Sequence, residues 1–507
     1  MAYTKTGGML TIKGLDTSKP AEYIDEQSTP NVYNMTVNRS VIKKRVGSTL
    51  MGLTMSEEVM VGREFIRAGV KYVVRIGLDE IHEWNDSTLA WDDVTGADLT
   101  GTTADPIDTA TPLIAGSRVL TFTNNIDNIR KYTGTGNTAD LAGSPPKCKF
   151  MVEFGTYLLL ANVNDGTARP MRVQWSDTGD PETWAGGNTG SKDLVEDGKD
   201  ITGLAGFGAY VSVHTEGSIY LGYLVTTSNV FKFDRKNTGA GTICNATIQS
   251  LPTGEQAFLA TDGIRLFNGI SAPLIESPVT DDLREGVNSE YVHKSWSVIV
   301  PELDEYWCAV PMGSDTTPNT IFKYNYRTKA CFKDTRDGIS AAWQYSLVIQ
   351  PTWQDQTLTW DQATARWDDR TMQKLFPIVV LGDNTGLVYE RNASVNDDNG
   401  IAVDAAWETM DYQSEEIGRL AQWVEMELWA KGNSVTVSYS TDKGQTWTPL
   451  DATTLSADYP DDDSPIMLYF DVVSTKIRFR FRNNVLGETF YIKQFNINYR
   501  NRELRSR

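Results

Sequence analysis

YLLLANVNDGTARPMRVQWS, Tyr157 to Ser176, holds an apolar run, a turn of Asn, Asp and Gly, and a second run closed by an aromatic residue. Side chains on a strand alternate between two faces, and Asn, Asp and Gly supply the backbone conformations that join antiparallel strands. The stretch therefore reads as two paired strands. The phrase returns as YVVRIGLDEIHEWN, VLTFTNNIDNIRKYTG, AYVSVHTEGSIYLGY, AFLATDGIRLFNG, NTIFKYNYRTKACF and PIVVLGDNTGLVYERN. Its closing aromatics Trp84, Tyr132, Trp175, Tyr220, Phe267, Tyr324 and Tyr389 lie 48, 43, 45, 47, 57 and 65 residues apart. A period in the forties filled by paired strands predicts an all-β fold built on a β-propeller of about six to eight blades, with insertions in the last two intervals. One small sheet cannot cover both its apolar faces alone, whereas radial stacking covers them. A long array of β-sandwiches would give a similar rhythm with less even strand spacing.

A chain of 507 residues is too long for one core. The repeat fills residues 61–395. Before it, residues 1–60 contain TPNVYNMTVNRSVIKKRVGSTL, where Val32, Met35, Val37, Val41 and Ile42 alternate around a polar NRS. This predicts a β-hairpin carrying the basic run Lys43, Lys44 and Arg45. That run is either a solvated strand end or a contact with an acidic neighbouring subunit. The polar ASVNDDNGIAVDA at 393–405 marks a junction. Residues 396–507 carry longer alternating runs and predict a C-terminal β-sandwich of jelly-roll or similar kind. In KIRFRFR, Ile477, Phe479 and Phe481 share one face and Arg478, Arg480 and Arg482 the other. The arginine face reads as solvated or carboxylate-paired, or as a partner site.

YSTDKGQTW, Tyr439 to Trp447, fits the Asp-box pattern of sialidases. Its residues have structural work to do. Ser440 and Asp442 accept or bridge hydrogen bonds across a turn, Gly444 permits positive φ, and Trp447 folds over the hairpin. A weaker relative, WSDTGDPETW, runs from Trp175 to Trp184. WNDSTLAWDD (Trp84 to Asp93) matches WDQATARWDD (Trp360 to Asp369), and in each the two indoles can meet across a polar turn.

No catalytic set stands out. His82, His214 and His293 are isolated from one another, which disfavours a histidine metal site or a Ser-His-Asp triad. No phosphate loop is present, and sixty-six acidic residues nominate no glycosidase pair. YPDDDSP and NDDNG lack the Glu that closes an EF-hand loop and read as exposed turns. Cys148, Cys244, Cys308 and Cys331 fit no zinc spacing and read as buried reduced thiols. The expectation is a non-enzyme without cofactor or metal. No run approaches the ~18 apolar residues of a membrane span, and no secretory signal opens the chain. The formal net charge of −19 disfavours nucleic-acid binding, because phosphate contacts need cations.

The phrase TPNVYNMTVNRSVIKKRVGS resembles the opening of tail nozzle, or tail hub and stabilisation, proteins of short-tailed bacteriophages. Their "N-x-x-N, then K-R-x-G" phrase is carried here by Asn31, Asn34, Lys44, Arg45 and Gly47. VQWSDTGDPETW and ATDGIRLFNG are also similar to blade phrases of that group. The resemblance implies a structural protein of the virion tail, assembled in the host cytoplasm as a homo-oligomer, a hexameric ring below portal and adaptor proteins. Propellers would project outward, and the N- and C-terminal strands would form a platform around a channel. Viral DNA would pass through without specific binding, and tail fibres or tailspikes would dock outside. Lys43, Lys44, Arg45, Arg478, Arg480 and Arg482 would then meet acidic surfaces of neighbouring chains. Other readings remain at this point: a different virion component, such as a head-closure or fibre-attachment protein, or a glycan-binding or sialidase-like propeller.

Overall fold

The computed structural model describes residues 4–6, 13–38, 41–225, 230–275, 279–346, 376–414, 418–450 and 465–502. WDQATARWDD and most of YPDDDSP lie outside them. The described chain is all-β, with a single α-helix, Thr280–Gly286, among these residues.

From residue 59 to 392 the strands fall into seven antiparallel meander sheets in chain order, with one small extra hairpin, Leu113–Ile114 against Ser117–Arg118, inserted between the first two strands of the second. The first uses Val59–Arg67, Val70–Gly77, Ile81–Asn85 and Ala90–Asp93. The opening phrase supplies the middle of the third sheet, where Tyr157–Asn164 pairs with Ala168–Trp175. Its turn closes as expected: Gly166 takes φ 98° and its N–H donates to Asn164 Oδ1. All seven closing aromatics lie on the third strand of their sheets, from Trp84 on Ile81–Asn85 to Tyr389 on Val388–Asn392. The recurring phrase is thus the second and third strand of each sheet, and the even spacing is the length of one sheet.

From the second sheet to the seventh, the first strands of successive sheets contact one another, and Val59–Arg67 of the first contacts Ser117–Arg118, the hairpin strand inserted in the second. Ile339–Tyr345 of the seventh contacts Val59–Arg67 of the first, so the order of contacts returns to its start. Between sheets lie separate apolar clusters. Phe65, Ile76 and Leu120 join the first to the second, Cys148, Leu158 and Leu160 the second to the third, and Val59, Trp343 and Val380 the seventh to the first. The fourth strand of the seventh sheet comes from the other end of the chain: Gly47–Leu50 pairs with Val388–Asn392.

Two further sheets combine both ends of the chain. One has the order Ile466–Ser474, Ala421–Gly432, Phe490–Asn501, Val41–Lys44, Met35–Asn38, with Thr4–Thr6 also on Phe490–Asn501. The expected hairpin is present as Met35–Asn38 against Val41–Lys44. The other joins Val32–Tyr33, Ala405–Glu408, Lys476–Asn483, Thr436–Ser440 and Thr448–Pro449. Trp407, Phe479 and Phe481 meet Trp423, Phe495 and Ile497 in one core. The described strands before residue 51 are therefore spread over several sheets: Gly14–Leu15 and Ser28–Thr29 extend the sixth, Gly47–Leu50 completes the seventh, and Thr4–Thr6, Val32–Tyr33, Met35–Asn38 and Val41–Lys44 join the C-terminal strands.

Candidate functional site

The first strands surround a cavity of about 830 Å³. Each contributes a short segment, among them Gly62–Glu64, Asp108, Lys149–Met151, Ile201–Leu204, Ser295–Ile299 and Ser340–Gln344. Apolar side chains such as Phe150, Ile248 and Trp296 alternate with charged ones.

Two charged groups face the cavity. Arg63 is exposed on the wall, and desolvation by the surrounding protein lowers its pKa against the opposing pull of Asp108. Asp108 lies on the short first strand of the second sheet. Burial pushes its carboxyl up to about 6, although it accepts N–H bonds from Met151 (2.8 Å) and Thr109 (2.9 Å), with Arg63 and Asn245 nearby. Toward another part of the wall, Lys294 approaches Glu58 at 3.5 Å. His293 next to it contacts the Glu290 carbonyl through Nδ1, and burial lowers its pKa. Cys244 is held neutral, its thiol pushed up to about 12 by burial and donating to the Ser295 carbonyl. All four cysteines are buried thiols outside any disulfide.

Sequence reading did not single out Arg63 or Asp108. No local motif marks them, because the cavity is assembled from short segments far apart in the sequence.

The residues expected to act lie elsewhere. In the Asp box, Thr446 donates through N–H to Asp442 Oδ1 (2.9 Å) and through its hydroxyl to Oδ2 (2.5 Å), while Gly444 N–H donates to Ser440 Oγ (2.8 Å). Hydrogen bonds from Ser440 and Thr446 hold the Asp442 carboxyl well below the usual carboxylate range. Gly444 takes φ 84°, and the half-buried Trp447 carries the Arg480 guanidinium 4.4 Å over its ring. These contacts stitch the Thr436–Ser440 hairpin, far in sequence from the cavity segments. The related WSDTGDPETW is also a turn, in which Asp177 accepts the N–H groups of Thr178 and Asn188. Trp84 and Trp91 are cross-strand partners with rings 5.2 Å apart. His214 is buried, its pKa lowered to about 4 by burial, and bonds Gln256.

The basic residues considered for subunit contacts have partners within the chain, and for the KIRFRFR face that is the carboxylate-paired reading. Lys44 is fully buried inside its own chain and donates to Asn483 Oδ1 (2.8 Å) and the Glu488 carbonyl (2.9 Å). Arg45 bonds both oxygens of Asp398, at 3.1 and 2.5 Å. Arg478, also buried, bonds Asp411 (2.7 Å), with Glu408 at 3.4 Å. Arg482 forms a two-pronged pair with Asp404, both contacts 2.8 Å. The alternation of KIRFRFR holds, with Ile477, Phe479 and Phe481 buried, but its arginines meet carboxylates or an indole of the same chain. Asp398 of NDDNG is likewise taken by Arg45 and Ser48. Among the described residues no cluster of His, Cys, Asp or Glu has the makings of a metal site.

No known family profile matches the chain, and no curated protein matches it. Among solved structures it is similar to PorZ, a surface component of the type-IX secretion system of Porphyromonas gingivalis, at 11% identity and TM-score 0.35, over 78% of this chain and 46% of that one. It is also similar to BamB from Moraxella catarrhalis, at 10% identity and TM-score 0.36, over 77% of this chain and 97% of that one. The chain thus matches less than half the length of PorZ.

Proposed function

We propose that this chain is a structural component of a viral tail, a nozzle or hub protein that assembles into a ring around a DNA conduit. In this reading the seven sheets are the blades of a β-propeller, and the two mixed sheets are a β-sandwich platform at the ring's centre. The observation that carries the proposal is the work done by the phrase Asn31, Asn34, Lys44, Arg45 and Gly47. Asn31 donates to Glu408 Oε1, and Asn34 donates to Thr335 and to the Asp404 carbonyl. Lys44 reaches Asn483 and Arg45 reaches Asp398. A Cβ on Gly47 would lie 1.8 Å from the Asp397 carbonyl oxygen, so only glycine fits there. One short phrase clasps the wheel of sheets to the terminal strands, as a protein that holds arms in fixed positions requires.

The neighbouring copy docks, in this proposal, along Ile466–Ser474. That strand is nine residues long, stands at the edge of its sheet among the described residues, and exposes Met467, Tyr469 and Val473. Long exposed apolar edges invite pairing with another chain. Native mass spectrometry and negative-stain imaging of the purified 56.4 kDa chain test the reading. A closed ring of about six copies with peripheral knobs is expected. A protein that stays monomeric at every concentration, and is absent from tails of particles produced with it, sinks the proposal.

A further inference from the structure

We propose that His82 is an acid-sensitive latch on the closed wheel: its neutral ring holds Arg75 at the junction of the first and seventh sheets, and protonation of that ring loosens the junction. The inference concerns a single chain and does not rest on ring assembly.

Arg75 stands on the second strand of the first sheet and is 1% exposed. Its Nη1 donates to the Gly386 carbonyl (3.2 Å), in the turn between the second and third strands of the seventh sheet. It also donates to the Leu53 carbonyl (3.0 Å), in the stretch that leads from Gly47–Leu50 to the first strand. The same Gly386 carbonyl accepts the Met55 N–H (3.0 Å), and Met51 N–H donates to the Val388 carbonyl (2.8 Å). One buried guanidinium therefore ties the first sheet to the seventh and to the segment that completes it.

Arg75 Nη2 lies 2.9 Å from His82 Nδ1, and the two residues face each other on paired strands. A guanidinium donates and never accepts. Nδ1 is therefore the bare nitrogen of a neutral ring, and the ring proton sits on Nε2, 3.4 Å from a Glu80 oxygen. A second proton has only Nδ1 to bind. It would point at a guanidinium that keeps its charge, and Arg75 would lose an acceptor while its Nε already lacks one. Burial is the largest influence on the ring and lowers its pKa; Arg75 works the same way, against Glu80 on the preceding turn and Asp93 opposite on the fourth strand. The neighbouring elements also carry Asp79 on that turn, Glu57 and Glu58 ahead of the first strand, and Asp383 on the seventh sheet. Glu58 faces Lys294, and Asp383 accepts the N–H groups of Thr385 and Leu387. Below about pH 6.5 an opened chain thus takes up a proton that the closed wheel resists, so acid favours opening and alkali leaves the latch intact.

Hydrogen exchange read by mass spectrometry on the full chain, at about pH 7.5 and about pH 5, tests the latch against His82→Gln, whose amide oxygen can accept from Arg75 without titrating. At about pH 5, segments 47–58 and 383–392 of the parent should exchange roughly 3- to 30-fold faster than those of the variant, the range that one proton allows below an ordinary histidine value. At about pH 7.5 the two proteins should exchange alike, and the Tyr157–Trp175 hairpin should not distinguish them at either pH. If His82→Gln fails to give the parent's far-UV circular dichroism, the parent decides alone: acid must speed the two segments relative to that hairpin. Equal exchange of parent and variant at the lower pH, or acceleration spread evenly over the wheel, overturns the proposal.

Discussion

The wheel of seven sheets and the two mixed sheets are built from the same strands by opposite means. In the wheel, pairing is local: the whole first sheet lies within residues 59–93. In the mixed sheets, Lys43 stands opposite Tyr491 and Thr4 opposite Tyr499. Local pairing closes short loops, whereas distant pairing must overcome the entropy of a nearly chain-long loop. The interiors differ accordingly. Sheets of the wheel meet mainly through apolar clusters, and its buried Arg75 and Arg130 bond backbone carbonyls, while the mixed sheets bury Lys44 and Arg478, and the sixth sheet beside them buries the Lys323–Asp334 pair. Buried ion pairs add little net stability but punish a wrong partner heavily. In the mixed sheets, Arg478 with Asp411 is a pair that a wrongly paired strand would leave unmade.

The sharpest way to break that contrast is Arg478→Ala. It leaves Asp411 and Glu408 buried with their cation gone. A loss of about 3–5 kcal/mol in urea unfolding is expected, the usual cost of stranding one side of a buried pair. A loss below about 1 kcal/mol would mean that the arginine face behaves as ordinary surface.

Lys44 gives a smaller effect with a pH signature. Burial first, then the neighbouring Arg45, lower its pKa from 10.5 to about 8 against the pull of Glu488, Asp404 and Asp398. Between those values the unfolded chain holds a proton that the folded protein has released, so stability rises with pH across the window, and the burial cost is full below pH 8. Lys44→Met should remove about 3 kcal/mol of that rise, read as the difference between parent and variant unfolding curves from pH 8 to 10.5, in which the tyrosine titrations cancel. Parallel curves would show that the ammonium is well solvated.

The wheel was legible because its signal is local. Seven aromatics spaced by one sheet length, and the Trp84–Trp91 pair across a turn, are properties of short stretches, and each stands where the repeat puts it. The strand Gly47–Leu50 was not legible as the last member of the seventh sheet, because nothing near residue 47 refers to residue 390. The partners of the basic runs were hidden for the same reason. Lys44 and Arg478 look like surface until Asn483 and Asp411 arrive from elsewhere in the chain. Arg63 and Asp108 have no signature because each belongs to an unremarkable strand, and only closure of the wheel faces them into one space.

Closure itself can be probed at Gly62, with the smallest expected effect. Val59–Arg67 and Ile339–Tyr345 are where the first sheet meets the last, so here the wheel borrows the distant contacts typical of the mixed sheets. A Cβ on Gly62 would fall 2.0 Å from Trp343 Cδ2 and 2.3 Å from Cε2. The backbone there is extended enough for alanine, so the whole cost of Gly62→Ala is crowding of the indole, about 1–3 kcal/mol. Trp343→Leu would relieve that crowding while removing packing of its own. The double variant should therefore be less destabilised than the sum of the two singles, by about 1 kcal/mol in a double-mutant cycle. Strict additivity would mean that the two sheets slide apart freely, and that the wheel is held shut by the Gly47–Leu50 strand and its clasp rather than by the fit of its first sheet against its last.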